Sequence, residues 1–161
     1  MVLCLSDKFK ILFVDMIQKK ILAILFILLF NFAANAQSKD AILGKWLNAS
    51  GDGQIMIYKN GDRYSGKLVW LKNPETDRGE LKRDSKNPNP QQRNRPLMGI
   101  QILQNFIYLG DGIWEDGSIY DPKTGKTYSC KITMSNNDRL NIRGYVGVSL
   151  LGRTEIWQKV K

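Results

Sequence analysis

The sequence contains no histidine, and two cysteines are its whole supply of thiols. The lack of histidine excludes a Ser-His-Asp triad, a Cys-His pair and any metal site built on imidazole. Cys4 lies in a segment that we expect to be removed, so Cys130 is left alone and cannot form an internal disulfide. We therefore predict no catalytic residues, no metal site and no cofactor.

Long apolar runs are also missing, because the charge-free stretch from Ile21 to Phe32 has only about 12 residues and a membrane-spanning helix needs roughly 20. Lys19 and Lys20 precede this stretch, and the small residues Ala34 and Ala36 follow it. A basic start, a short apolar run and a small-residue exit are typical of a secretory leader. We predict a signal peptide cleaved near Ala36, with no stable membrane span after its removal; a membrane anchor is the alternative.

This leader defines the domain organisation and the location that we predict. Residues 1–36 form the N-terminal extension and signal peptide, and residues 37–161 form one domain of a periplasmic or secreted protein. Asp7 and Asp15 are unusual in the positive end of a leader, so Met16 is an alternative to Met1 as the start of the chain.

Helical periodicity is absent after Ala36, where short runs rich in β-branched and aromatic residues end at Gly, Asn or Asp. We predict strands at about 44–49, 54–59, 63–72, 98–104, 112–120, 127–135, 139–146 and 153–160. The links contain Asn-Gly and Asp-Gly steps that suit tight hairpins. Eight strands with short links favour an all-β, antiparallel up-and-down barrel, and a two-sheet sandwich is the alternative.

The alternation within one strand shows which side faces the core. Tyr128, Cys130 and Ile132 share a face, while Ser129 and Lys131 share the other. Cys130 is therefore expected to be a small core residue rather than a nucleophile.

The segment from Asn73 to Pro96 interrupts the strand pattern, and a loop this long in a small domain is commonly functional or disordered. Pro90 could begin a short helical turn. Asn94 and Arg95 are rich in hydrogen-bond donors and suit a carboxylate or a phosphate. They could equally tie the loop to backbone carbonyls.

Acidic and aromatic residues offer two further candidates. Carboxylates between Asp111 and Asp121 could serve glycoside hydrolysis or bind calcium, but Asp111 and Asp121 stand at turn positions and the calcium-loop spacing is absent. The tryptophans fall on four different predicted strands, namely Trp46, Trp70, Trp114 and Trp157. They form either a large-residue core or the lining of a lumen that holds a small ligand.

The chain is basic, with a formal net charge of +9 from 24 Lys and Arg against 15 Asp and Glu. Loss of residues 1–36 removes four lysines and two aspartates, which leaves 20 against 13, or +7. Such a charge favours an anionic envelope component as a partner, and export argues against nucleic acid.

Two sets of motifs resemble known families. Gly44-Lys45-Trp46 with a late Arg153 is similar to the lipocalin-like, or calycin, barrels, and this resemblance implies that Arg153 packs across the Trp46 ring to close the barrel. From about Asp40 to Val160 the chain also resembles the bacterial family called domain of unknown function 2147. The matching segments are 42–46, 66–71, 93–99, 119–122, 125–130, 143–145 and 150–154. The resemblance implies a small, exported, β-rich bacterial protein and supplies no mechanism.

The function that we expect is a non-catalytic β-barrel that binds a small amphipathic or lipophilic ligand. The expected ligand-binding residues are Trp70, Asn94, Arg95, Tyr120 and Tyr128, with Trp46 and Arg153 closing the barrel. The alternative is a cell-envelope interaction module that recognises an anionic glycan or a protein partner. An envelope hydrolase that uses Asp116 and Asp121 is a third hypothesis.

Overall fold

The computed structural model describes residues 13–20 and 38–161, which belong to two separate units. Residues 13–20 are helical and exposed, and Lys19 Nζ lies 2.6 Å from Asp15 Oδ2. The apolar run and the site near Ala36 lie outside the described residues, so the leader, the domain boundary and the start at Met1 or Met16 stay predictions. Within 13–20 and 38–161, no helix has the length and apolarity required to cross a membrane.

Residues 38–161 form a closed barrel of eight antiparallel strands in sequence order, in which β1 also pairs with β8. The strands are β1 (Gly44–Leu47), β2 (Gly53–Asn60), β3 (Arg63–Leu71), β4 (Gln101–Gly110), β5 (Ile113–Asp121), β6 (Lys126–Asn136), β7 (Arg139–Tyr145) and β8 (Arg153–Lys159). The prediction of an up-and-down barrel is confirmed, and the sandwich alternative is wrong because the β1–β8 pairing closes the sheet on itself.

Two strands have boundaries that differ from the prediction by two residues or more. The fourth strand was expected at 98–104, but β4 starts at Gln101 and continues to Gly110. Gly99 has a φ of 88° and bonds to the Leu68 carbonyl as part of the loop, while Asn105 adopts a φ of 63° within the strand. A left-handed residue interrupts the alternation, which is why the sequence pattern stopped short of the second half of β4. The first strand ends at Leu47 rather than Ala49.

The connections give the barrel two different ends. Links 48–52, 72–100, 122–125 and 146–152 lie at one end, which we call the mouth. The tight turns at 61–62, 111–112 and 137–138 lie at the other end with the start of β1 and the end of β8, and we call that end the base. The predicted helical turn is present in the longest mouth link as a 3-10 turn at Pro90–Gln92, with Asn89 Oδ1 accepting from the Gln91 N–H at 3.1 Å.

Large side chains fill the base and the middle of the barrel. Trp46, Trp114, Tyr64 and Phe106 are almost completely buried, so most of the aromatic residues belong to a packed core. Phe106 lies on Gly117, where an added Cβ would come within 2.5 Å of its ring. Cys130 is buried, as predicted, and burial raises the pKa of its thiol to about 12.

The base is closed by a lysine rather than by the predicted arginine. Lys159 Nζ lies 4.4 Å from the centroid of the Trp46 ring and donates to the Leu43 carbonyl at 2.6 Å. Trp46 pairs directly with Lys159 across the β1–β8 ladder, whereas Arg153 pairs with Gly144. Six residues of strand separate Arg153 from Lys159, which is about 20 Å. The predicted contact between Arg153 and Trp46 is therefore wrong.

Candidate functional site

The interior of the barrel becomes progressively more exposed toward the mouth. Along β8, Trp157 is buried, Glu155 is half-buried and Arg153 is exposed. Along β6, Cys130 is buried and Tyr128 is half-buried. These positions are two residues apart and share a face, so the inward face of the sheet is open to solvent at this end.

Gly144 identifies the side chains that surround this opening. A Cβ on Gly144 would meet Ile119 Cγ2 at 3.5 Å and Tyr128 Cβ at 3.7 Å, so Gly144 faces inward between them. Arg153 is its cross-strand partner and shares its face. Ile119, Tyr128, Arg153 and Glu155 thus share the inward face of the sheet at the mouth, and we call this group the cup.

A groove that includes Arg153 and Glu155 of the cup runs along the seam between β1 and β8, where its other β8 residues lie on the outer face. β1 pairs with β8 only through Trp46 and Leu47, so beyond Leu47 the chain leaves the edge of β8 uncovered. The groove is open and has a volume of about 640 Å³. Its lining residues are Ala49, Ser50, Arg139, Arg153, Thr154, Glu155, Ile156 and Gln158.

An ion pair joins two links across the mouth. Lys123 Nζ, in the β5–β6 link, lies 2.9 Å from Asp52 Oδ2, in the β1–β2 link. Burial raises the pKa of Asp52, but hydrogen bonds from Ser50, Lys123 and Asn48 outweigh it and hold that pKa well below 3.8. The hydrogen bond to Asp52 raises the pKa of Lys123. Each partner thus stabilises the charged form of the other.

A second polar cluster fixes the long link 72–100 on the outside of the barrel, and Asp84 is its centre. The Asp84 side chain is fully buried. Its Oδ2 accepts from Arg95 Nε at 3.0 Å, Arg95 Nη2 at 2.8 Å and Asn87 Nδ2 at 2.7 Å, and its Oδ1 accepts from Tyr120 Oη at 2.6 Å. We call these four residues the Asp84 cluster. Burial, and the hydrogen bond to Asp84, raise the pKa of Tyr120 to about 12.

Link 72–100 is also in direct contact with the β5–β6 link at the mouth. A Cβ on Gly125 would lie 1.9 Å from the Lys86 carbonyl oxygen, and Gly125 has a φ of 73°. Only glycine fits such a position. The β3–β4 and β5–β6 links are therefore packed together at the rim of the cup.

The sequence over residues 44–159 matches the family model described as an uncharacterized protein conserved in bacteria, domain of unknown function 2147. The chain belongs to this family. The fold of this family member is similar to that of protein HP1028 from the human pathogen Helicobacter pylori, which is described as belonging to the lipocalin family. The two chains are 21% identical, with a TM-score of 0.66, and the match covers 74% of this chain and 83% of the other. At this identity the likeness shows the fold alone. No curated protein matches the sequence.

The structure brings together only two of the five residues predicted to bind a ligand. Arg95 and Tyr120 both donate hydrogen bonds to Asp84, so the carboxylate that Arg95 binds belongs to this chain itself. Tyr128 lies in the cup, apart from them. Asn94 is exposed and its carbonyl accepts from Arg83, while Trp70 lies opposite Gln54 on β3 with 38% of its surface exposed.

Four residues that sequence reasoning did not select have defined roles here: Asp52, Asp84, Lys123 and Lys159. The sequence did indicate an acidic partner for Arg95, because its donors require an acceptor and the same loop contains several acidic residues. Nothing in the pattern distinguished Asp84 from Glu75, Asp77 or Glu80. Lys159 could have been found only from the register of β1 against β8.

The acidic residues between Asp111 and Asp121 have structural roles. Asp111 and Asp116 adopt positive φ angles of 47° and 58°, at a turn and at a bulge. Glu115 pairs with Lys131, and Asp121 accepts from the Lys123 N–H and the Thr124 hydroxyl within its turn. Among the residues that the structure describes, no group of three or more acidic or cysteine side chains could hold a metal ion.

Proposed function

We propose that this protein is a non-catalytic barrel that holds one small amphipathic ligand in its cup. The observation that carries the proposal is the loss of burial along β8, from Trp157 through Glu155 to Arg153, at inward-facing positions. This loss of burial leaves inward-facing side chains accessible to a ligand from the mouth. The filled base provides the rigid floor on which such a site depends.

The chemistry of the cup favours a ligand with an apolar part and an anionic group. Ile119 and the Tyr128 ring offer apolar surface, while Arg153 stands at the edge without an ion-pair partner among the described residues. A guanidinium binds carboxylates and phosphates through parallel hydrogen bonds. We therefore place the apolar part of the ligand against Tyr128 and its anionic group at Arg153.

The Asp84 cluster has a supporting part in this proposal. Arg95 and Tyr120 hold the rim of the cup through Asp84 and do not contact the ligand unless that cluster opens. Trp70 and Asn94 belong to the same end of the barrel and would be reached only by a ligand that extends beyond the cup. The periplasmic or secreted location that we propose depends on the leader-like sequence of residues 19–36 alone.

The proposal is tested by calorimetric titration of the folded protein with dodecanoate, and with dodecyl maltoside as an uncharged amphiphile. We expect saturable binding of dodecanoate to one site and weaker binding of the maltoside. Arg153→Gln should weaken dodecanoate binding by about ten-fold or more, because a hydrogen bond to a charged group is worth about 1.5–3 kcal/mol. Tyr128→Ala should weaken the binding of both amphiphiles.

Arg63→Gln is the matched control, since it removes the same charge at the base, where Arg63 donates to the Asn105 carbonyl. It should leave both affinities unchanged. Equal losses in Arg153→Gln and Arg63→Gln would show that net charge rather than the cup binds dodecanoate. Absence of saturable binding to either amphiphile would remove the proposal.

A further inference from the structure

The β7–β8 link exposes an unusual amount of apolar surface. Val146 is 74% exposed, Val148 61%, Leu150 85% and Leu151 80%, and they lie within six residues of one another. We call these four side chains the apolar tip. Single exposed apolar residues are ordinary, but a contiguous group of large ones commonly marks an interaction site.

The apolar tip is held in place by an arginine on the outer face of β7. Arg143 donates from Nε to the Ser149 carbonyl at 2.7 Å and from Nη2 to the Leu150 carbonyl at 2.9 Å. Its Nη1 donates to Thr154 Oγ1 at 2.8 Å, on the far side of the link. Ser149–Leu151 form a 3-10 turn within this support. The tip is therefore presented in a fixed conformation and does not have to be ordered on binding.

The surroundings of the tip are basic. From Arg143 to Thr154 the sequence contains two arginines and no acidic residue, and Glu155 follows as the next residue of β8. Arg143 and Arg153 flank the tip directly, and Arg153 has no ion-pair partner among the described residues. Two copies of this surface would repel each other, whereas an anionic surface would attract it.

The other exposed apolar residues of the barrel show the same asymmetry. Trp70, Leu81 and Met98, which are 38%, 51% and 40% exposed, also lie at or near the mouth. Among residues 38–161, the exposed large apolar residues away from the mouth are Leu109 at the base, 59% exposed, and Ile156 midway along β8, 49% exposed. Apolar groups beside cations are the combination that binds the surface of an anionic bilayer, where the apolar part enters the headgroup region.

We propose that the apolar tip of the β7–β8 link inserts into the surface of an anionic lipid bilayer, with Arg143 and Arg153 at the level of the headgroups. The barrel then sits on the membrane by its mouth, as a peripheral protein. This binding surface shares Arg153 with the cup, but its apolar tip lies outside the cup and requires no ligand in it.

The test is sedimentation of the folded protein with phosphatidylcholine vesicles that contain about a quarter phosphatidylglycerol, and with vesicles of phosphatidylcholine alone. We expect binding to the anionic vesicles that weakens as salt rises, because exposed charges are screened. Replacing both Leu150→Ser and Leu151→Ser should weaken the binding at least about ten-fold. Both side chains are at least 80% exposed, so folding should be retained.

Leu109→Ser is the matched control, because it removes one exposed leucine at the base and should bind vesicles like the unaltered protein. In a separate variant, Leu150→Trp should shift its emission to shorter wavelength and be quenched by brominated lipid. Equal binding of the Leu150→Ser/Leu151→Ser protein and the unaltered protein would overturn the proposal. Failure to bind anionic vesicles, with self-association that the two serines abolish, would overturn it in favour of an interface between copies.

Discussion

The base and the mouth of this barrel are built from different interactions. At the base, Trp46 is fully buried, its Nε1 donates to the Ile42 carbonyl at 2.7 Å, and the Lys159 ammonium lies over its ring. At the mouth, the links are joined by polar contacts, which are the Asp52–Lys123 pair and the Asp84 cluster. Apolar burial is strong and non-directional, whereas charged hydrogen bonds fix geometry. The difference assigns stability to the base and the shape of a binding site to the mouth.

The largest expected effect tests the base. Trp46→Ala removes a fully buried indole and its hydrogen bond, so we expect the free energy of unfolding to fall by about 3–5 kcal/mol. Urea unfolding followed by circular dichroism measures the change. Trp70→Ala is the control, since Trp70 is 38% exposed, and it should cost far less. Similar losses in the two variants would contradict a barrel whose stability is concentrated at the base.

The second effect tests the mouth. Asp84→Ala leaves Arg95, Asn87 and Tyr120 without their common acceptor. We expect the free energy needed to detach link 72–100 from the barrel to fall by about 2–3 kcal/mol. The loss should be local, because the cluster attaches link 72–100 to β5 through the Tyr120 hydroxyl and takes no part in the pairing of the strands.

Limited trypsin digestion measures that local effect, since link 72–100 contains several lysines and arginines. Cleavage within the link should accelerate in Asp84→Ala while the barrel keeps its circular dichroism spectrum. Asp77→Ala removes an exposed acid of the same link and should cleave at the original rate. Unchanged cleavage in Asp84→Ala would show that the link is held by other contacts.

The same division between base and mouth explains what could be predicted from the sequence. The barrel follows from local patterns, such as the alternation that places Cys130 inside, and from turn residues that are adjacent in the chain. The contacts of the mouth join residues that are far apart in sequence, as Asp84 and Tyr120 are, and a loop has no period that would indicate its partner. The residue that covers Trp46 depends on the register of β1 with β8, which no local pattern carries.

A smaller effect tests the corrected closing contact at the base. Lys159→Met keeps a long side chain but removes the cation over Trp46 and the hydrogen bond to the Leu43 carbonyl. We therefore expect the free energy of unfolding to fall by about 1 kcal/mol. Arg153→Met should leave the stability nearly unchanged, because Arg153 does not contact Trp46. Chemical unfolding at neutral pH compares the two variants. A greater loss in Arg153→Met would restore the closing role that the sequence predicted for that residue.

The smallest effect concerns the ion pair across the mouth. Asp52→Asn should lower the free energy of unfolding by less than about 1 kcal/mol at pH 7, because the side chains of Lys123 and Asp52 are 72% and 40% exposed and solvent screens the pair. The pKa of Asp52 is depressed in the folded protein, so its contribution is complete above its ordinary pKa of 3.8 and is lost as the pH falls through the folded value. The difference in unfolding free energy between Asp52→Asn and the unaltered protein should therefore disappear in strong acid.

A double-variant comparison tests whether the pair itself is responsible. Lys123→Met should show the same difference in unfolding free energy at pH 7, and the double variant should lose no more stability than either single variant. Additive losses would mean that Asp52 acts through Ser50 and Asn48 within its own turn and not through the cation on the opposite link.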